Sequence, residues 1–179
     1  MRLLLTSNGL VTAEIIAAFK KLAGKSLEQV NVAVINEAYA VEHDDHRWVI
    51  DDLVALKNCV GGRFEMVNLL ANSGAVIEER LGQADVIFVI GGNTDYLKTV
   101  FDKSGVSKLL PKLLANKVYV GISAGSMVMG KRISGKAYLT MYGDQGKYDV
   151  TDYLGLVDFS VMPHISSKDF PGREEKLTL

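Results

Sequence analysis

The sequence predicts a three-layer αβα domain, an α/β fold built on a mostly parallel, doubly wound sheet. Two observations support this: short apolar runs alternate with longer segments of helical period, and most of these runs are apolar on both faces. Runs of that kind are typical of a parallel sheet covered by helices on both sides. The predicted strands span residues 2–6, 30–35, 63–69, 85–91, 118–123 and 157–162.

Five segments between these strands carry apolar residues at helical spacing, as Ile15, Phe19 and Leu22 do in the first of them. The alternation of strands and helices along the chain favours a doubly wound domain. Residues 134–153 lose both patterns and are expected to form a surface excursion. The predicted helices span residues 12–23, 46–60, 74–81, 94–101 and 106–114.

Length and charge narrow the class of protein. With 179 residues the chain is long enough for one domain with a sizeable core. Lys and Arg number 20 against 21 Asp and Glu, which leaves no basic field for nucleic acid or a membrane surface. Cys59 is the only cysteine, so neither an intrachain disulfide nor a multi-thiolate metal site is possible. No signal peptide or membrane span is recognisable, and we expect a soluble cytoplasmic protein without a nucleic-acid or membrane partner.

A serine lies where the fifth predicted strand ends and a helix is expected to begin. Gly121-Ile122-Ser123-Ala124-Gly125 matches the G-x-S-x-G pattern of a sharp strand-to-helix turn. Such a turn exposes the serine hydroxyl at the carboxyl edge of the sheet, where open α/β folds bind ligands. Ser123 is therefore the candidate nucleophile, and the Ala124 amide is a candidate oxyanion donor. The alternative is a glycine-softened helix start that Ser123 caps.

A serine nucleophile needs a base, and the sequence contains three histidines. His164 follows the last predicted strand and Pro163, so it is expected at the same sheet edge as the serine. It is the candidate base, with an ordinary core or capping histidine as the alternative. His43 and His46 lie in the polar segment EHDDHRW, which a solvated first helical turn explains better than a metal site. No metal or cofactor is expected.

A second glycine-rich turn, VIGGNTDYL, leads from the fourth predicted strand into a helix. Gly91 and Gly92 permit close approach of backbone amides to a ligand, and Asn93 or Thr94 can cap the helix. This loop is a candidate for the second oxyanion donor or for an anion cradle, with a plain strand-to-helix turn as the alternative. A nucleotide phosphate site is disfavoured, because neither G-x-G-x-x-G nor G-x-x-x-x-G-K-[ST] is present.

Taken in order, IFVIGGNTDYL, VGISAGS and VMPH resemble the peptidase E family of serine peptidases, the aspartyl dipeptidases related to cyanophycinases. The N-terminal LLLTSNG also resembles the opening strand of that family, so the resemblance covers essentially the whole chain. It implies a fold similar to class I glutamine amidotransferases. The strand-to-helix turn at residues 121–125, called the elbow below, carries serine where those enzymes carry cysteine.

The resemblance also implies roles for single residues. Ser123 would be the nucleophile and His164 its general base, while Gly92 and Ala124 would supply the oxyanion-hole amides. Aspartyl dipeptidases of the family cut after an N-terminal aspartate, whose carboxylate is held by a basic residue after the catalytic histidine. The matching position here is Arg173, with a surface arginine at the start of an amphipathic helix as the alternative. Asn93, next to Gly92, is the other predicted substrate contact.

The third catalytic residue of the family is a carboxylate well downstream of the histidine, whereas this sequence ends at Leu179. The terminal GREEKLTL breaks off inside an amphipathic pattern without a stop signal. We therefore expect residues 1–179 to be a single peptidase domain that lacks its C-terminal portion, including this acid. The alternative is an acid within the sequence, from among Asp144, Asp149, Asp152, Asp158, Glu174 and Glu175.

Together these features predict a serine peptidase that hydrolyses short peptides, in particular dipeptides with an N-terminal aspartate, through an acyl-enzyme on Ser123. An esterase or acyl transferase of α/β-hydrolase type would use the same elbow with an acid from residues 144–158. A binding protein without turnover would keep the fold and leave Ser123 inert. Reactivity of the serine and the position of the acid distinguish the three.

Overall fold

The computed structural model describes residues 1–43, 45–133, 150–168 and 170–173. Its strands form a single parallel sheet in the order β1-β5-β4-β2-β3. The strands are β1 (Arg2–Thr6), β2 (Val32–Ile35), β3 (Phe64–Met66), β4 (Val86–Val89) and β5 (Val118–Ile122).

The helices begin and end at local signals in the sequence. The Thr12 hydroxyl accepts a hydrogen bond from the Ile15 amide at the first helix, and Gly24 closes that helix in the left-handed conformation. Two 3-10 helices, Leu27–Gln29 and Glu37–Val41, flank β2. The α-helices are α1 (Ala13–Ala23), α2 (Arg47–Cys59), α3 (Gly74–Gln83), α4 (Thr94–Ser104), α5 (Val106–Leu113) and α6 (Ala124–Met127).

The sheet separates two hydrophobic cores, because successive residues of a strand point to opposite faces. Ile87 and Val89 of β4 lie in the core that also contains Phe101 of α4. Phe88 points the other way, into the core that contains Phe19 of α1. All strand residues of β2, β4 and β5 are buried. The three-layer, doubly wound fold predicted from the sequence is confirmed.

Strands β2 and β4 are neighbours, but the chain leaves them in opposite directions, towards β3 and β5 respectively. Such a reversal opens a crevice beyond the carboxyl ends of the strands. The loop after β4 and the 3-10 helix after β2 meet there, where the Asn93 amide donates to the Ala38 carbonyl at 2.9 Å. The predicted location of the site at this edge follows from the topology.

The sixth predicted strand, residues 157–162, is wrong, because these residues form no strand in the structure. Their segment lies instead against the turn that follows α6. The Lys131 amide donates to the Phe159 carbonyl, and the Leu156 amide donates to the Met129 carbonyl. The Phe159 side chain, which an inward-facing strand position would bury, is 55% exposed.

The other predicted elements are present, but the third strand is much shorter than predicted, Phe64–Met66 instead of 63–69. The predicted surface excursion falls largely on residues 134–149, which lie outside the described residues. In the described part of the chain, none of the helices has the length and apolar character required to span a membrane.

Candidate active site

The turn after β5 holds Ser123 in a strained backbone conformation, with φ 49° and ψ −109°. Such a conformation costs a residue other than glycine about 1–3 kcal/mol and is typical of functional sites. Tight backbone packing maintains it. A Cβ on Gly121 would lie 2.5 Å from the Gly125 carbonyl oxygen, and a Cβ on Gly125 would overlap the Val89 carbonyl of β4. Neither position can therefore accommodate a side chain.

A buried hydroxyl ties this turn to the end of β1. Ser126 is fully buried, and its Oγ accepts a hydrogen bond from the Thr6 amide at 2.9 Å. The same Oγ lies 2.8 Å from the carbonyl oxygens of Thr6 and Gly121, to either of which it can donate. The Thr6 hydroxyl also donates to Gly121, and the Ser123 amide donates to Thr6. The elbow is thus anchored by hydrogen bonds as well as by packing.

The structure brings His164 and Ser123 together across 41 positions of sequence. His164 Nε2 lies 2.9 Å from Ser123 Oγ. The imidazole packs on the Phe170 ring with their centroids 4.7 Å apart, and the His164 amide contacts the Ser7 hydroxyl at 3.4 Å. A nucleophile and a base within hydrogen-bond reach are the first requirement of serine catalysis.

Arg173 lies behind this histidine and is only 4% exposed, so the surface alternative for it is wrong. Its Nη1 donates to the Pro163 carbonyl at 3.1 Å, and its guanidinium lies 3.9 Å from the centroid of the Phe170 ring. The Phe170 ring thus contacts both the guanidinium and the imidazole of His164. The arginine is positioned as a cation close to the candidate base.

The Gly91-Gly92 loop packs directly against the elbow. A Cβ on Gly91 would lie 3.1 Å from Ser123 Cβ, and a Cβ on Gly92, whose φ is 129°, would overlap the Ala38 carbonyl. The amides of Gly92 and Ala124 donate no hydrogen bond to any other described residue. Both amides are therefore available to an oxygen bound beside Ser123.

Asn93 is the N-cap of α4, as one sequence alternative predicts. Its Oδ1 accepts from the Tyr96 amide at 2.9 Å, and its own amide is bound to Ala38. Thr94 does not share the cap, because its hydroxyl is directed at Met127 Sδ, 3.4 Å away. A substrate contact through Asn93 stays a prediction.

The candidate triad acids are only partly covered by the structure. Asp158 forms a salt bridge with Lys131 and its side chain is 91% exposed, and Asp152 is also exposed. The remaining candidates lie outside the described residues; they are Asp144, Asp149, Glu174 and Glu175.

His46 is partly buried at the start of α2, whereas Asp45 and Arg47 beside it are exposed, so the predicted solvated turn holds for these neighbours but not for the His46 ring. Its ring packs edge-on against Tyr39 and Trp48, with centroids 5.2 and 6.4 Å away. Across the described residues, no three His, Cys, Asp or Glu side chains are grouped to hold a metal ion.

Sequence reasoning missed Trp48 and Asp52 of α2. Trp48 Cζ3 would lie 3.6 Å from a Cβ on Gly91, and Asp52 Oδ1 would lie 3.3 Å from a Cβ on Gly9. Burial, and to a lesser degree the charge of Asp51, raises the pKa of Asp52 to about 7. One sequence feature could have indicated Asp52: it lies three residues after the buried Val49, so helical spacing places its carboxylate on the apolar side of α2.

A model of peptidase family S51 matches residues 3–178, nearly the whole sequence. The chain belongs to peptidase family S51. The elbow serine, the histidine paired with it and the Gly91-Gly92 loop all lie within the part that matches the S51 model.

Two similar proteins are uncharacterized peptidases. Lmo0363 of Listeria monocytogenes is 34% identical over 117 residues, which are 63% of this chain and 56% of that protein. PM1590 of Pasteurella multocida is 27% identical over 166 residues, which are 92% of this chain and 79% of that protein. The match thus spans little more than half the length of the first relative.

Two solved structures resemble the whole chain. A Listeria monocytogenes protein assigned provisionally to peptidase E matches with a TM-score of 0.78 and 28% identity, over 98% of this chain and 85% of that one. A peptidase from an acI-B1 actinobacterium matches with a TM-score of 0.65 and 17% identity, over 99% and 74%. Together with the S51 match, the first structure confirms the resemblance to the peptidase E family, and the second shows the shared fold.

The elbow packing generates the first prediction. Gly125→Ala should lower the free energy of unfolding by more than about 3 kcal/mol or prevent folding, because its methyl group would overlap the Val89 carbonyl. Gly82→Ala in α3 is the matched control. No atom lies within 4 Å of the added methyl there, and we expect stabilisation by about 0.5–1 kcal/mol. Denaturant unfolding measures both, and equal stability of the two variants would contradict the packing argument.

The raised pKa of Asp52 generates the second prediction. An unfolded Asp releases its proton near pH 4, whereas folded Asp52 keeps it until about pH 7. Raising the pH through this window therefore lowers the free energy of unfolding. Asp52→Asn should remove that loss, so its advantage in Tm over the parent should be small at pH 4 and largest above pH 7. Glu78→Gln, which replaces an exposed acid of α3, is the control, and a pH-independent difference for Asp52→Asn would oppose this view.

Proposed function

We propose that this protein is a serine peptidase that hydrolyses short peptides, with dipeptides carrying an N-terminal aspartate as its preferred substrates. The main support is the 2.9 Å approach of His164 Nε2 to Ser123 Oγ at a strained strand-to-helix turn. Membership of peptidase family S51 agrees with this chemistry. The single cysteine, Cys59, is a free thiol, which agrees with action in a reducing cytoplasm.

In the proposed reaction Ser123 Oγ attacks the scissile carbonyl carbon while His164 Nε2 takes the hydroxyl proton. The carbonyl oxygen becomes an oxyanion and receives hydrogen bonds from the amides of Gly92 and Ala124. His164 then returns the proton to the departing amine, and the acyl-enzyme forms as the peptide bond breaks. Water, deprotonated by the same histidine, attacks the ester carbonyl, and the acyl residue leaves as an acid while His164 returns the proton to Ser123 Oγ.

Arg173 is the proposed partner of the substrate aspartate. Its guanidinium is positioned behind His164 by Phe170 and by the Pro163 carbonyl, so little side-chain entropy remains to be lost on binding. An arginine held in this way binds a carboxylate more strongly than an exposed one, because water screens the interaction less.

Ser123→Ala should lower kcat/KM for Asp-Leu at least about a thousandfold, since the nucleophile is removed. A fluorophosphonate should label the parent protein and the exposed control Ser26→Ala, but not Ser123→Ala. Activity that survives in Ser123→Ala would exclude this serine as the nucleophile. Labelling without peptide hydrolysis, combined with ester hydrolysis, would indicate an esterase, and a folded but unlabelled parent would indicate a binding protein.

Arg173→Met should lower the ratio of kcat/KM for Asp-Leu to that for Asn-Leu by about tenfold or more, because a charge-assisted hydrogen bond is lost. Arg173→Lys keeps the positive charge but lacks the planar guanidinium, so its ratio of kcat/KM values should lie between those of the parent and Arg173→Met. Since Arg173 also binds Pro163, Tm is measured for each variant. A folded Arg173→Met with an unchanged ratio would show that the substrate aspartate is recognised elsewhere.

A further inference from the structure

Helix α2 forms one wall of the crevice around Ser123. Trp48 lies beside Gly91, which follows β4, whereas Asp52 lies beside Gly9, which follows β1. The two side chains are four residues apart and so share one face of the helix. A Cβ on Gly9 would also lie 2.7 Å from Ile122 Cδ1, in the residue that precedes the nucleophile. The inner face of α2 therefore extends along the carboxyl edge past β4, β5 and β1.

Asp52 is a half-buried carboxyl group without a partner in the described part of the chain. It forms no hydrogen bond or ion pair there, and desolvation dominates its environment. A polar group that loses water and gains no partner destabilises the fold, and such groups concentrate at binding sites. The loop after β1, which contains Gly9, also contacts the Ser123–His164 pair, because the Ser7 hydroxyl in that loop accepts a hydrogen bond from the His164 amide.

The other buried carboxylates near this edge already have partners. Asp95 accepts hydrogen bonds from Arg132 at 3.0 Å and from the Tyr153 hydroxyl at 2.9 Å. Glu37 Oε1 accepts the amide of Leu69, and its buried Oε2 has no partner among the described residues, but Glu37 follows β2 and so lies farther from β1 and β5. Asp52 is thus the carboxylate best placed to receive a cation from a ligand in the crevice.

We propose that Asp52 binds the free α-ammonium group of the first residue of the substrate. This inference rests on the proposed peptidase function. An enzyme that removes one N-terminal residue must distinguish a chain end from an internal residue, and the ammonium charge is the feature that differs. The ammonium lies two bonds from the carbonyl that Ser123 attacks, and Asp52 borders Gly9, which packs against Ile122, the residue before Ser123. Binding would supply the ion-pair partner that Asp52 lacks.

Aspartyl p-nitroanilide and succinyl p-nitroanilide test this proposal, because they differ only in the α-ammonium group. We expect the parent to prefer the aspartyl substrate, and Asp52→Asn to lower the ratio of the two kcat/KM values at least tenfold. The control Glu78→Gln, an exposed acid of α3, should leave the ratio unchanged. If folded Asp52→Asn keeps the parent ratio, whether both kcat/KM values fall equally or neither falls, the proposal is overturned.

Calorimetry separates this inference from the peptidase proposal, since it needs no turnover. Ser123→Ala should bind Asp-Leu at least tenfold more tightly than succinyl-Leu, and Ser123→Ala/Asp52→Asn should bind the two alike. That pattern without hydrolysis in the parent would support ammonium binding and refute the peptidase. Equal binding of the two ligands by Ser123→Ala, or binding of neither, would overturn the role of Asp52.

Discussion

The site depends on how closely three backbone segments approach one another at the turn after β5. The first turn of α6 lies against the β4 carbonyl of Val89 with no room for a side chain, and the Ser126 hydroxyl joins the same turn to the end of β1. These contacts offset the strain at Ser123, whose positive φ would otherwise relax. Strand order makes this possible, because β5 lies between β1 and β4 and can be held from both sides.

The same anchoring orients the groups around Ser123. Gly91 packs against the Ser123 side chain, so the loop after β4 cannot shift without moving the serine. His164 arrives from a segment outside the sheet and is positioned by its ring contact with Phe170 and by Ser7. Hence Ser123 is held in place by the sheet and His164 by loop packing, and the two side chains meet at 2.9 Å.

Local sequence signals predicted much of this arrangement, since strand periodicity and glycine spacing act over a few residues. The five strands, the five longer helices and the elbow at Gly121 and Gly125 are of this kind. The segment of residues 157–162 was misjudged because its alternation imitates a strand, whereas its backbone pairs with the turn after α6. Asp52 was missed because its meaning depends on tertiary contacts with Gly9 and Ile122, which no local pattern encodes.

The charges around the Ser123–His164 pair are complementary to those of the proposed substrate. A cation, Arg173, lies on the His164 side, and a carboxyl group, Asp52, lies on the β1 side. An N-terminal aspartate carries a complementary pair, its side-chain carboxylate and its α-ammonium. An aspartate inside a longer chain has no α-ammonium group. Its binding would cover Asp52 without supplying an ion-pair partner, so the Asp52 carboxyl group would lose water at a cost in free energy. On the proposed roles, selection for a chain end therefore follows from electrostatics and needs no steric barrier.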